Sequence, residues 1–157
     1  MSIRAFASVA GILYLAAGIL GFMPGITSAP PVDAPPLTVE HSYGYLLGLF
    51  PVNVLHNLLH IGIGVWGLLM ASSVATARTF AMSIAAIYGL LTVMGVLPQT
   101  HTFFGFMPLF GHDIWLHAVT AFVAGYFGLF AADEIVIIRR SNIGTDNVKV
   151  YEERPHP

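Results

Sequence analysis

Apolar residues gather into four long runs separated by short polar or proline-rich stretches. The runs extend from Ile3 to Phe22, Pro51 to Met70, Phe80 to Leu97 and Ile114 to Ile138. Each approaches the roughly 20 residues that a helix needs to cross a bilayer. None shows the period of two expected of a half-buried strand, and a small membrane barrel would need about eight strands of 9–11 residues each. The pattern therefore predicts an all-α membrane protein, a four-transmembrane-helix bundle over residues 1–140. The remaining stretch, residues 141–157, is polar and without helical period, and is expected to be a flexible tail.

Composition agrees with this reading. Of 157 residues, 56% are hydrophobic and 9% charged, against about 25% charged in an ordinary soluble domain. The first partner of such a surface is the lipid bilayer. The six basic residues are Arg4, Arg78, Arg139, Arg140, Lys149 and Arg154. The other two connections carry none, so the positive-inside rule puts both termini and the Arg78 connection in the cytoplasm. Met23 to Phe50 and Pro98 to Asp113 then face outward, in a multi-pass protein of the plasma (inner) membrane. No basic run exists to bind nucleic acid. The absence of cysteine excludes disulfides, thiolate metal sites and iron–sulfur clusters.

Between the first two runs, Ile26 to Leu37 (ITSAPPVDAPPL) is dense in proline and is expected to be an extended loop. Tyr43 to Phe50 and Phe103 to Phe110 are aromatic and uncharged, as suits segments at the outer membrane interface. Arg4, the first run and the small residues Thr27, Ser28 and Ala29 also resemble a cleaved signal peptide. An internal repeat argues against cleavage. An offset of 74 residues aligns Tyr14 with Tyr88, Gly21 with Gly95 and Pro24 with Pro98. An offset of 61 aligns His56 with His117, Gly64 with Gly125, Trp66 with Phe127 and Gly67 with Gly128. The bundle is thus expected to be two tandem helical hairpins related by a pseudo-two-fold axis along the membrane normal.

On this topology His41, His56, His60, His101, His112 and His117 all fall in the outer half, leaving only His156 in the cytoplasm. His56 and His60 lie four apart on one helix face, and Asn53 and Asn57 extend the stripe. Taking about 1.5 Å of rise per residue from Pro51, the two histidines lie about 7 and about 13 Å into the helix. Asp113 stands four residues before His117, on the same face. Neutral imidazole is the commonest metal ligand, and several histidines with a carboxylate suit copper, zinc or iron. The candidate ligands are His56, His60, His117 and Asp113, with His101, His112, His41 and Glu40 placed to close the site from the loops. Such a site is open to redox chemistry. Haem or another tetrapyrrole ranks lower, because the outer segments offer no Arg or Lys to its propionates.

Other readings stand beside the metal. The same polar stripe serves interhelical hydrogen bonding in a cofactor-free accessory or assembly subunit of a larger membrane complex, or in a homo-oligomer. No continuous polar path leads inward from His60, and no nucleophile or acid/base pair defines a reaction. Tyr14 and Tyr88 lie near the depth of His60 and either pack there or hydrogen-bond to it. Gly62, Gly64, Gly67, Gly125 and Gly128 are expected to allow close helix contact. Asn53 and Asp113 are of the type that caps helix starts. Asp133, Glu134, Arg139 and Arg140 mark the cytoplasmic boundary.

Leu49 to His60 (LFPVNVLHNLLH), Gly64 to Gly67 (GVWG), Tyr88-Gly89 and Gly111 to His117 (GHDIWLH) together resemble a bacterial family of small four-helix integral membrane proteins catalogued as a domain of unknown function. The resemblance covers about residues 1–136. It implies the topology and no activity, so no catalytic residue is carried over from it.

Overall fold

The computed structural model describes residues 1–131. Four helices carry the fold: α1 (Ile3–Leu20), α2 (Val54–Met70), α3 (Val74–Val96) and α4 (His112–Phe130). Local chemistry sets each start. The Ser2 hydroxyl accepts from the Ala5 amide at 3.2 Å, and the Asn53 side chain accepts from the His56 amide at 3.0 Å, each satisfying a donor that the helix itself leaves open. Ser73 and Thr76 form a reciprocal capping box at α3. Gly111, at φ 65° and without a side-chain cap, begins α4.

These starts shift three expected boundaries. Pro51 and Val52 belong to a strand, so α2 begins at Val54 and has 17 residues, a length of about 26 Å. The capping box starts α3 at Val74 rather than Phe80, placing Arg78 within the helix and shrinking the connection to Ala71–Ser73. Asp113 is not a cap: Gly111 takes that position, and Asp113 is buried in the first turn. Three helices, α1, α3 and α4, are long and apolar enough to cross a membrane. The expected continuation of the fourth run to Ile138, the boundary residues Asp133, Glu134, Arg139 and Arg140, the tail and His156 lie outside the described residues.

α1 packs along α2 and α3 along α4, and the two pairs meet chiefly through α1 and α3. At the end carrying Ser2 and the Ala71–Ser73 connection, Ile3, Phe6, Ala7, Ala77, Phe80, Ala81, Ile84 and Ala124 form an apolar core. Phe6 stacks on Phe127 at 4.9 Å and Phe80 meets Trp66 edge-on at 4.9 Å. A Cβ on Gly11 would stand 2.9 Å from the Gly64 carbonyl, and one on Gly128 would stand 2.6 Å from Met82 Sδ. Gly64, Gly67 and Gly128 thus mark close approach as expected. Gly62 faces open space, and Gly125 meets Ala85 at an ordinary 3.7 Å, so these two do not.

Two arginines close the helix ends here. Arg4 Nε donates to the Ala71 carbonyl at 3.0 Å, at the end of α2. Arg78 donates from Nη1 to Gly128 at 2.6 Å and from Nη2 to Ala131 at 2.9 Å, at the end of α4. A guanidinium in this position satisfies terminal carbonyls and complements the negative end of the helix dipole.

The opposite end is closed by irregular chain and a small sheet that the sequence pattern did not reveal. Strands β1 (Thr27–Ser28), β2 (Gly44–Leu46) and β3 (Phe50–Val52) pair antiparallel in the order β1-β2-β3, with Ser28 opposite Tyr45 and Tyr45 opposite Pro51. Pro51 is tolerated because β3 is an edge strand. Tyr43 donates to the Pro35 carbonyl at 2.9 Å; partial burial and the neighbouring Tyr45 push its phenol up to about 12, so it stays a donor at neutral pH. The 97–111 connection carries a short turn at Phe103–Gly105. The Thr38 amide donates to the Gly105 carbonyl at 2.8 Å, tying the two long connections together. Fully buried Asn53 reinforces that tie, donating to Val39 at 2.9 Å and Phe106 at 2.7 Å.

Candidate metal centre

Beneath this closure, α2 and α4 turn polar side chains toward each other in an otherwise apolar interior. The Asn53 cap fixes the first turn of α2, which places His56 facing α4 and His60 one turn further on. Gly111 starts α4 early enough that Asp113 and His117, four apart, share the face turned to α2. His56, Asp113 and His117 are all buried, and one ligand atom from each lies within 4.8 Å of the others. His56 Nδ1 is 3.8 Å from Asp113 Oδ2, too long for a hydrogen bond. The two imidazole centroids are 6.4 Å apart.

The polar atoms of this cluster are poorly satisfied. His56 Nδ1, His60 Nδ1, His117 Nδ1 and Asp113 Oδ2 are buried without a hydrogen-bond partner. Buried polar groups are ordinarily paired, and each one left unpaired costs about 1–3 kcal/mol. His56, Asp113 and His117, each with such an atom and with ligand atoms that converge, are the arrangement that a bound cation satisfies. The Asn53 cap on the His56 amide fixes the backbone at His56 while its ring Nδ1 has no partner. Nitrogen and carboxylate donors without sulfur suit zinc, copper or iron.

The other candidate residues are dispersed. His60 borders the cluster, its ring 4.5 Å from that of His56. His101 packs on Phe110 at 5.7 Å. Exposed His112 accepts a hydrogen bond from Trp115 Nε1 at 3.0 Å, and Phe50 lies 6.3 Å from its ring. His41 and Glu40 are exposed; the carbonyl of His41 accepts from the Val54 amide at 2.9 Å. Tyr14 and Tyr88 do adjoin the histidines, Tyr14 at 5.4 Å from His60 and Tyr88 at 5.0 Å from His117. Tyr14 also neighbours Tyr88, ring centre to ring centre 5.6 Å, and Thr120. Thr120 was missed in the sequence, although its place three residues after His117 puts it on the same helix face. Asn57 is fully buried with both amide atoms unpartnered, against the last turn of α1, where a Cβ on Gly21 would collide with it.

Fold and site define a predominantly helical protein of membrane type with a buried His/Asp/His group able to hold a metal ion. The chain belongs to the family described as Domain of unknown function (DUF4383), whose model matches residues 4–130. No curated protein and no solved structure matches the chain.

Proposed function

We propose that the protein is a four-span protein of the plasma membrane, with both termini cytoplasmic, that binds a transition metal ion near its outer face through His56, Asp113 and His117. The observation that carries the reading is the convergence of buried, unpartnered donor atoms from α2 and α4. Zinc, copper and iron all suit this donor set. Although α2 is the shortest of the four helices, local thinning or flanking residues accommodate a short span at modest cost.

The two-hairpin duplication belongs to the same proposal. Arg4 and Arg78 are separated by the 74-residue offset that relates Tyr14 to Tyr88. Each arginine closes the second helix of its own pair, Arg4 on α2 and Arg78 on α4. His56 and His117 then approach from equivalent helices, with Asp113 added in one half and His60 in the other.

The test is metal content by mass spectrometry on detergent-purified protein and on a His56→Ala/His117→Ala variant. Stoichiometric metal in the parent, lost in a variant that remains folded, supports the reading and identifies the element. Metal-free protein in both forms, even after zinc, copper and iron are offered, refutes it. That result would favour hydrogen-bonding histidines in an accessory subunit.

A further inference from the structure

Three protein donors leave a tetrahedral metal one ligand short, and this open position separates reactive sites from purely structural ones. His60, Tyr14 and Tyr88 flank the ligand histidines. His60 packs edge-on against His56 at 4.5 Å and Tyr88 edge-on against His117 at 5.0 Å. Tyr14 joins them, 5.4 Å from His60 and 5.6 Å from Tyr88. Along the helices, Asp113 lies one turn before His117 and His60 one turn after His56. The carboxylate and this imidazole–phenol floor therefore occupy different levels of the cluster. His60 Nδ1 is buried without a partner, yet His60 is not in the group whose ligand atoms converge.

Charge balance points to what fills the gap. A divalent ion held by Asp113 and two neutral imidazoles keeps one net positive charge in a buried place. The other acidic residues described, Asp33 and Glu40, are exposed. A buried charge is costly without a counter-charge. Size is restricted as well, since Pro51, Val52, Pro108 and Leu109, on the segments that lead into α2 and α4, are themselves buried.

We infer that the metal takes a small monoanion as its remaining ligand, of the size of hydroxide, a halide or azide, and that His60 hydrogen-bonds this anion instead of binding the metal. The inference rests on the metal reading above. The sequence groups His60 with the ligands; the geometry gives it a different task, with Tyr14 and Tyr88 holding the floor beside it.

The experiment loads detergent-purified protein with Cu²⁺ and titrates it with sodium azide, following the azide-to-copper charge-transfer absorption. The expected result is a saturable band in the parent protein. His60→Ala should retain stoichiometric copper yet bind azide about tenfold or more weakly, the effect of losing one hydrogen bond to a charged group. His60→Gln, which keeps a donor in place, should retain most of the azide affinity and covers the case in which the alanine variant does not fold. A parent protein that binds copper but shows no azide band, with a His60→Ala variant that loses copper or newly binds azide, makes His60 the fourth ligand and overturns the inference. A parent chain that takes up no copper, zinc or iron overturns the metal reading and this inference together, and is told apart by metal content alone.

Discussion

At the arginine end of the helices, Ile3, Phe80 and Ile84 fill the interior with carbon, and Arg4 and Arg78 meet helix-terminal carbonyls. At the sheet end, the same helices bury Asn53, Asn57, His56, Asp113 and His117. Of these five, Asn53 has its side-chain hydrogen bonds in place, while His56, Asn57, Asp113 and His117 each retain a buried polar atom without one. Burial is comparable at the two ends, but satisfaction is not. An apolar core needs only shape to be stable, whereas a buried polar cluster is stable only with its partners present. The first end accounts for the fold; the second gathers the donor atoms that could hold a metal ion.

The contrast breaks most strongly at Phe80. Truncation to alanine removes a fully buried ring against Trp66 and Gly67, and should destabilise the protein by about 3–5 kcal/mol with or without metal, read by denaturation in detergent. Metal should act only on the other end. At 100 times its Kd it should add about 2.7 kcal/mol, visible as a rise in Tm that the His56→Ala/His117→Ala variant does not show. Asn53→Ala removes a helix cap and the tie between the two long connections, with an expected loss of about 2 kcal/mol and faster extraction of bound metal by a chelator. Asp113→Asn sharpens the comparison by reversing sign. It relieves an unpaired buried carboxylate, so the metal-free variant should be at least as stable as the parent, while its metal affinity falls by more than the roughly 10–100-fold typical of losing an outer partner. His101→Ala and His112→Ala should change stability by no more than about 0.5 kcal/mol and leave metal stoichiometry unaltered.

The arginine end was the more legible in the sequence, because helical runs of apolar residues report directly on what packs there. At the sheet end, spacing alone paired His56 with His60 and Asp113 with His117, and the 61-residue offset between His56 and His117 pointed to their two helices meeting. The roles of His101 and His112 were not legible, since they depend on the path of irregular chain. Strands of two or three residues are too short to display a period, so the sheet stayed hidden behind prolines and aromatics. Asp113 looked like a cap because its residue type favours that position; Gly111, adopting φ 65°, begins the helix earlier and draws the carboxylate inside. Arg78 looked like loop because charge interrupts an apolar run, yet its guanidinium is used on carbonyls of a neighbouring helix.

Arg4 and Arg78 also bear on how the chain could be assembled. Each pair of helices is fastened by an arginine that it carries itself, and the covalent join from one pair to the other is Ala71–Ser73. A chain divided between Ser72 and Ser73 would yield two fragments, each with its own fastening and each bringing one histidine to the shared centre. Co-expressed, the two fragments should reassociate through the α1–α3 contact and the tie between the two long connections.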